Sequence, residues 1–296
     1  MDRTHLCAWL VAGLPLVAAP TFVHAVVPPA AAAAKLDAAS AVALAESQRM
    51  LSQRMVKAYL LAGQGIGADD ARAVLQSSIR QFEAQLASLK SLQPTPAVRT
   101  AVAALERAWG PCKAVFATAP SKRGAIALYD ANEALQEAAH SSALAYEDAA
   151  GLASARAVSV AGRQHMLLQR MAKFYFYRTW GLYDAPADME LHLSRAHFTA
   201  VLAQIERSPQ ASAQVKAGAA QVRKEWEPYQ QALFASRDPD RMRHDAMRVA
   251  ALSERMIGVT EKLAAQLAAD GRSAAGVARD APQSVDMSVF SGRMFK

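Results

Sequence analysis

The sequence predicts an all-α protein: two tandem up-down-up-down four-helix bundles joined by a long helix. Three observations predict it. Strong helix formers (Ala, Leu, Gln, Glu, Lys and Arg) fill the stretches between clusters of Pro and Gly, no long Val/Ile/Thr alternation occurs, and one helical phrase is written twice. With 52% apolar and 20% charged residues the composition is that of a globular protein, which excludes disorder of the whole chain.

The first stretch, MDRTHLCAWLVAGLPLVAAPTFVHA, sets Arg3 and His5 ahead of an apolar run from Leu6 to Ala19 and closes on Val23-His24-Ala25. Small residues at the last and third-last positions suit a signal peptidase, and the run is too short for a membrane span. Residues 1–25 therefore read as a cleaved signal peptide rather than an uncleaved anchor, and residues 26–40 as a linker. Cys7 departs with the peptide, so Cys112 remains as a lone thiol, expected to be buried and inert. Charged residues interrupt every later apolar window, so a mature periplasmic product with no transmembrane segment is expected. The net charge of +7 reads as a solvated basic surface, and export argues against nucleic acid as a partner.

Candidate helices run from Leu36 to Ala62, Asp69 to Leu92, Thr95 to Ala117, Gly124 to Thr179, Ala187 to Glu206, Ala211 to Ala235 and Pro239 to Asp270. Asp69-Asp70, Thr95 and Asp238 supply caps or favourable charge at helix starts. The repeat extends along the chain. QFEAQLASL at Gln81 matches HFTAVLAQI at His197, AWGPCKAVFA at Ala108 resembles EWEPYQQALFA at Glu225, and YDANEAL at Tyr129 resembles HDAMRVA at His244. Two homologous modules follow, residues 41–150 and 151–271, with a flexible tail at 272–296. Trp109 and Trp226, at matching places before Pro111 and Pro228, read as core anchors. No proline lies between Gly124 and Thr179, so the last helix of module 1 is expected to continue into the first of module 2. Gly151 is the one candidate break; a continuous helix stacks the bundles end to end, whereas a break lets them lie side by side.

The repeated phrase is AESQRMLSQRMVKAYLL at Ala45 and AGRQHMLLQRMAKFYFY at Ala161. Helical spacing puts Glu46, Arg49, Gln53 and Lys57 on one face, and Gly162, His165, Gln169 and Lys173 on the matching face of the second copy. A second stripe (Leu44, Leu51, Met55, Ala58 and their counterparts) stays apolar. Each copy therefore presents an apolar side to its bundle and a polar side rich in donors.

This phrase resembles the opening of the sensory domains of type IV pilus chemoreceptors and nitrate-sensor kinases, the PilJ/NarX-like N-terminal domain, a periplasmic four-helix bundle. The resemblance covers nearly all of the mature chain as a tandem pair. In nitrate-sensing members of the family, an arginine and a glycine of the opening motif hold the anion between two symmetry-related first helices. The resemblance implies a bidentate arginine and a glycine that lets the anion approach the backbone. Module 1 keeps the arginine as Arg49 but has Glu46 in place of the glycine. Module 2 keeps Gly162 but has His165 in place of the arginine. Glu46 lies one turn from Arg49, close enough to pair with it and repel an anion, and a protonated His165 would donate to one. The ligand-binding set is thus Arg49, Gln53, Gly162, His165 and Gln169, supported by Arg54, Lys57, Arg170 and Lys173.

No His-Glu-x-x-His, Cys-x-x-Cys, Gly-x-Ser-x-Gly or phosphate-cradling loop occurs, and His192 and His197 are five apart. Neither an enzyme nor a metal or other cofactor is expected. The aromatic run around Phe176, Tyr177 and Trp180 is too dense to enter one core and is expected to offer an interface. Two functions fit. One is a soluble periplasmic sensory protein that captures a small ligand, with anions such as nitrate or nitrite as candidates, and presents it to a membrane receptor or sensor kinase. The other is a helical scaffold for a pilus-associated protein or the chemotaxis machinery.

Overall fold

A computed structural model describes residues 37–151 and 153–277 of the chain. The expected signal peptide, most of the expected linker and the residues from 278 onward lie outside the described residues. Among the described residues all regular structure is helical: α1 (Ala38–Gly63), α2 (Ala68–Ser91), α3 (Pro96–Phe116), α4 (Lys122–Ala150), α5 (Ala153–Thr179), α6 (Asp184–Arg207), α7 (Ala213–Phe234), the short α8 (Pro239–His244) and α9 (Ala246–Val277). Side-chain caps start them where the sequence offers one. Asp37 accepts from the Ser40 amide at 2.7 Å, Thr95 from Val98 at 3.2 Å and Asp238 from Arg241 at 2.9 Å. Helix α9 carries on to Val277, past Arg272, where the flexible tail was expected to begin.

Module 1 is built from α1 to α4 and module 2 from α5 to α9, and the two share their internal packing. The Phe82 and Trp109 rings lie 4.6 Å apart, and the Phe198 and Trp226 rings do the same. Cys112 is a buried free thiol, pushed up to about 12 by burial.

The long helix expected from Gly124 to Thr179 is corrected to two. Helix α4 ends at Ala150, Gly151 takes φ 60°, and α5 sets off at Ala153. A left-handed cap costs glycine nothing, and it reverses the chain so that the modules lie side by side. Helices α1 and α5 then meet along their length and run parallel. Glu46 faces Gly162 at one end, while at the other Gln64 donates to the Phe176 carbonyl at 3.0 Å and accepts from Thr179 Oγ1 at 2.9 Å. Flanked by α2, α4 and α5, helix α1 is buried from Leu51 to Ala62 except at Arg54; α5 is buried at every residue from Met166 to Thr179.

The fourth helices match at an offset of 117, the offset of Trp109 from Trp226, and not at the 115 that aligns Tyr129 with His244. At 117 the buried positions coincide: Ala125 with Met242, Gln136 with Ser253, Ala143 with Thr260 and Tyr146 with Leu263. Tyr146 closes one end of module 1, donating to the Leu89 and Leu92 carbonyls at 2.7 Å each. Module 2 has the smaller Leu263 there and a cavity of about 10 Å³ beside Gln164, Phe198 and Leu202. The Gln164 amide has no hydrogen bond, because Val201 replaces Gln85, which accepts from the equivalent Gln48 at 3.0 Å.

Leu263→Tyr should therefore stabilise the protein by about 0.5–2 kcal/mol, the usual gain from filling a void. Urea denaturation reads this as a higher midpoint at unchanged m; a lower midpoint would show that this end of module 2 cannot close around a ring.

Candidate functional site

The polar face of the repeated phrase does not look out at water. Glu46 and Arg49 are each 3% exposed. Arg49 Nη1 donates to both carboxylate oxygens of Glu46, at 3.0 and 3.3 Å. The carboxylate leans on the Gly162 backbone across the α1–α5 contact. A Cβ built on Gly162 would sit 2.5 Å from Glu46 Cβ and 2.6 Å from Glu46 Oε2, so only glycine leaves the space that Glu46 fills. Burial pushes the Glu46 carboxyl up, and Arg49, the Ser159 hydroxyl and Arg163 pull it part of the way back; the net direction is upward. Nearby His140 of α4 is driven down to about 4 by burial first and then by Arg49 and Arg163. The site is thus a buried cluster of two guanidiniums around one carboxylate, with a neutral imidazole at its edge.

Arg163, Ser159 and His140 are site residues that the sequence reading missed. The first two align with Ser47 and Ala43 of the first copy, which carry neither group, and His140 comes from a different helix. Only the spacing of buried positions along α4, in which His140 follows Gln136 and Ala139, pointed toward it.

The other expected site residues go elsewhere. His165 is not part of the anion cluster. Burial lowers its imidazole to about 4, with the Thr260 backbone pulling the other way, so at neutral pH it carries no charge to offer an anion. Gln53 turns into its own bundle, donating to Ser52 Oγ at 3.2 Å and Gln136 Oε1 at 3.3 Å. Gln169 donates to Glu254 of α9 at 3.4 Å.

Arg54, Lys57, Arg170 and Lys173 serve as clasps between modules. Arg54 and Lys57 of α1 both bind Glu254 of α9, Arg54 at 2.7 Å, and Lys57 also donates to Ser253 Oγ at 3.0 Å. Arg170 and Lys173 of α5 both bind Glu133 of α4, at 2.7 and 2.6 Å, and Lys173 also donates to Asn132 at 3.0 Å. Each module's cations thus reach the last helix of the other. Burial pushes Glu133 up, but Lys173 and Arg170 more than offset it and hold the carboxyl at about 2.

The aromatic run is corrected as well. Phe176 and Tyr177 are fully buried, and Trp180 lies over Gly63 of α1. Phe176 and Tyr177 are buried, against the expectation, because α5 has neighbours on every side from Met166 to Thr179, while Trp180, just past its end, is half-buried. Phe176 and Tyr177 thus pack within the chain and present no surface to an outside protein.

A family model described as PilJ, type IV pili methyl-accepting chemotaxis transducer N-term, matches residues 31–139 and again residues 149–270. No curated protein and no solved structure matches the chain.

Gly162→Ala should cost about 1–3 kcal/mol through overpacking. Most of that cost should vanish in a Glu46→Gly background, as a double-mutant cycle on urea midpoints would read; an additive pair would mean that Glu46 is not what Gly162 accommodates. At the clasp, Glu133→Ala leaves Lys173 buried without its counterion and should cost about 2–3 kcal/mol, allowing for the half-open position of Glu133 and for Glu190, which still holds Arg170. Because the folded Glu133 carboxyl lies below its ordinary value, its stabilisation is complete above about pH 4.5 and fades as pH falls from there toward 2. Thermal melts of wild type and Glu133→Ala should accordingly converge in acid.

Proposed function

Because the chain belongs to the type IV pili methyl-accepting chemotaxis transducer N-terminal family, twice over, we propose that it is an exported periplasmic sensory module that acts through a membrane partner and whose anion position is filled by its own Glu46. The observation that carries this reading is the Glu46 carboxylate, held by Arg49 on one helix and seated against Gly162 on the facing one. In the resembled nitrate-sensing domains an anion lies between arginine and glycine of paired first helices. Here the surviving arginine and the surviving glycine stand on α1 and α5, and a carboxylate of similar planar shape and charge lies between them. Arg49 Nη1 spans both oxygens of that carboxylate, as it could span two oxygens of nitrate or nitrite.

An internal anion has an advantage in effective concentration that a free one at millimolar level cannot match. The module would accordingly rest in the form that an anion-bound relative adopts, and its state would depend on protein contacts more than on nitrate. Export is supported by the first 25 residues. No described helix is long and apolar enough to cross a membrane, which is consistent with action through a partner that does.

Isothermal titration of the mature chain with nitrate and nitrite should give no heat. Glu46→Gly should bind one of them, with dissociation constants on the order of millimolar to tens of micromolar, and adding Arg49→Ala should abolish that binding. Binding of nitrate by the wild-type chain, lost on Arg49→Ala, would overturn the reading.

A further inference from the structure

Module 1 shows what the matching end of module 2 lacks. Tyr146 of α4 is buried there, and its hydroxyl donates to the Leu89 and Leu92 carbonyls at 2.7 Å each. Leu263, its counterpart on α9, carries the side chain only as far as the two Cδ atoms, so the Cε1, Cε2, Cζ and Oη of a tyrosine have no equivalent in module 2. Val222 of α7 stands where module 1 has the longer Leu105. Thr260 in place of Ala143 and Leu267 in place of Ala150 recover part of the space, and a cavity of about 10 Å³ remains among them.

The backbone that receives the Tyr146 hydroxyl is nevertheless kept. The Ser208 amide donates to the Ile205 carbonyl at 3.3 Å, as the Leu92 amide does to Leu89 at 3.2 Å. Pro209 follows and has no N–H, so it adds no second donor to Ile205, which lines the cavity. The rest of the wall is apolar, with Phe198 and Leu202 of α6 opposite Leu263. Gln164, 5% exposed, also lines it, and neither atom of its side-chain amide has a hydrogen bond. The end of module 2 thus keeps the carbonyls that a hydroxyl would join and lacks the side-chain atoms that would bring one.

We infer that this end of module 2 binds a short-chain secondary alcohol, whose carbinol carbon and two methyl groups replace Cζ, Cε1 and Cε2 and whose hydroxyl donates to the Ile205 and Ser208 carbonyls in place of Oη. Half-buried Leu267 is the side chain that gives way, because it can swing toward solvent while Phe198, Leu202 and Leu263 stay packed. A ketone of the same shape sets an acceptor against two carbonyl oxygens, so the site favours the alcohol. So small a guest binds weakly, with a dissociation constant on the order of 1–10 mM. The site is distinct from the seat of Glu46 and does not rest on it: Gly162 turns toward α1, whereas Ala161 and Gln164 line the cavity.

Amide NMR spectra of the mature chain, titrated with isopropanol to about 100 mM, should show saturable shifts of the Ser208 backbone amide and the Gln164 side-chain amide. Acetone, which has the same shape but no hydrogen to donate, should bind at least about tenfold more weakly. Leu263→Tyr supplies the missing atoms from the chain itself and should abolish the saturable shifts in a folded protein. Leu263→Phe, which supplies the ring carbons alone, should abolish them too and serves as the test if the tyrosine is not accommodated. Shifts that grow with concentration without saturating, that persist in a folded Leu263 variant, or that acetone matches would overturn the inference.

Discussion

Lys57 and Lys173 are among the most deeply buried side chains of the molecule, and each finds its counterion on the other module. Burial pulls both ammonium groups down from their ordinary range, Lys173 to about 8, with Glu254 and Glu133 acting in the opposite direction. A buried cation is tolerable only when its partner and remaining hydrogen bonds are in place. Here Ser253 and Asn132 supply those bonds. The α1–α5 contact can therefore be dry and charged together, provided that α9 stays against α1 and α4 against α5. Side-by-side packing of the modules follows from this requirement. So does the break at Gly151, because one continuous helix would carry Glu133 and Lys173 away from each other.

The same requirement explains why the sequence misled where it did. Most helix positions, the caps at Thr95 and Asp238 and the repeat itself were legible, because propensity, proline placement and self-similarity are local signals; the breaks at Gly151 and at Asp245, which splits the helix expected from Pro239 to Asp270 into α8 and α9, were not. The polar face of the repeated phrase was read as solvent-facing or ligand-facing, since Arg, Lys and Gln at helical spacing mark a wet surface in an isolated bundle. Once a second bundle covers that face, the same residues are interior. The burial of Phe176 and Tyr177 was hidden for the same reason: rings all round a helix find room only if helices surround it. No local signal reports that.

Alignment by residue identity had its own limit. Tyr129-Asp130-Ala131 and His244-Asp245-Ala246 look alike, yet the buried faces coincide two residues further on. Packing selects the positions that must be small or apolar, and identity between exposed residues carries less information about register. The missing ring at Leu263 becomes visible only in the corrected register.

Covalent linkage is what permits the central asymmetry. In a pair of identical copies related by a two-fold axis between parallel first helices, a glutamate at position 46 would face its own duplicate. Two buried carboxylates would then meet in space that holds only one, and the pair would repel. A glycine in both copies leaves an opening for a free anion, which is the arrangement the resembled domains use. Joining the two modules in one chain allows Glu46 on one helix and Gly162 on the other, so a single carboxylate fills the space, held by Arg49 and with Arg163 nearby. His165, buried and neutral, takes no part in holding that carboxylate. Glu46 and Gly162 therefore have to be read together: the side chain on one helix occupies the space that the missing side chain on the other leaves.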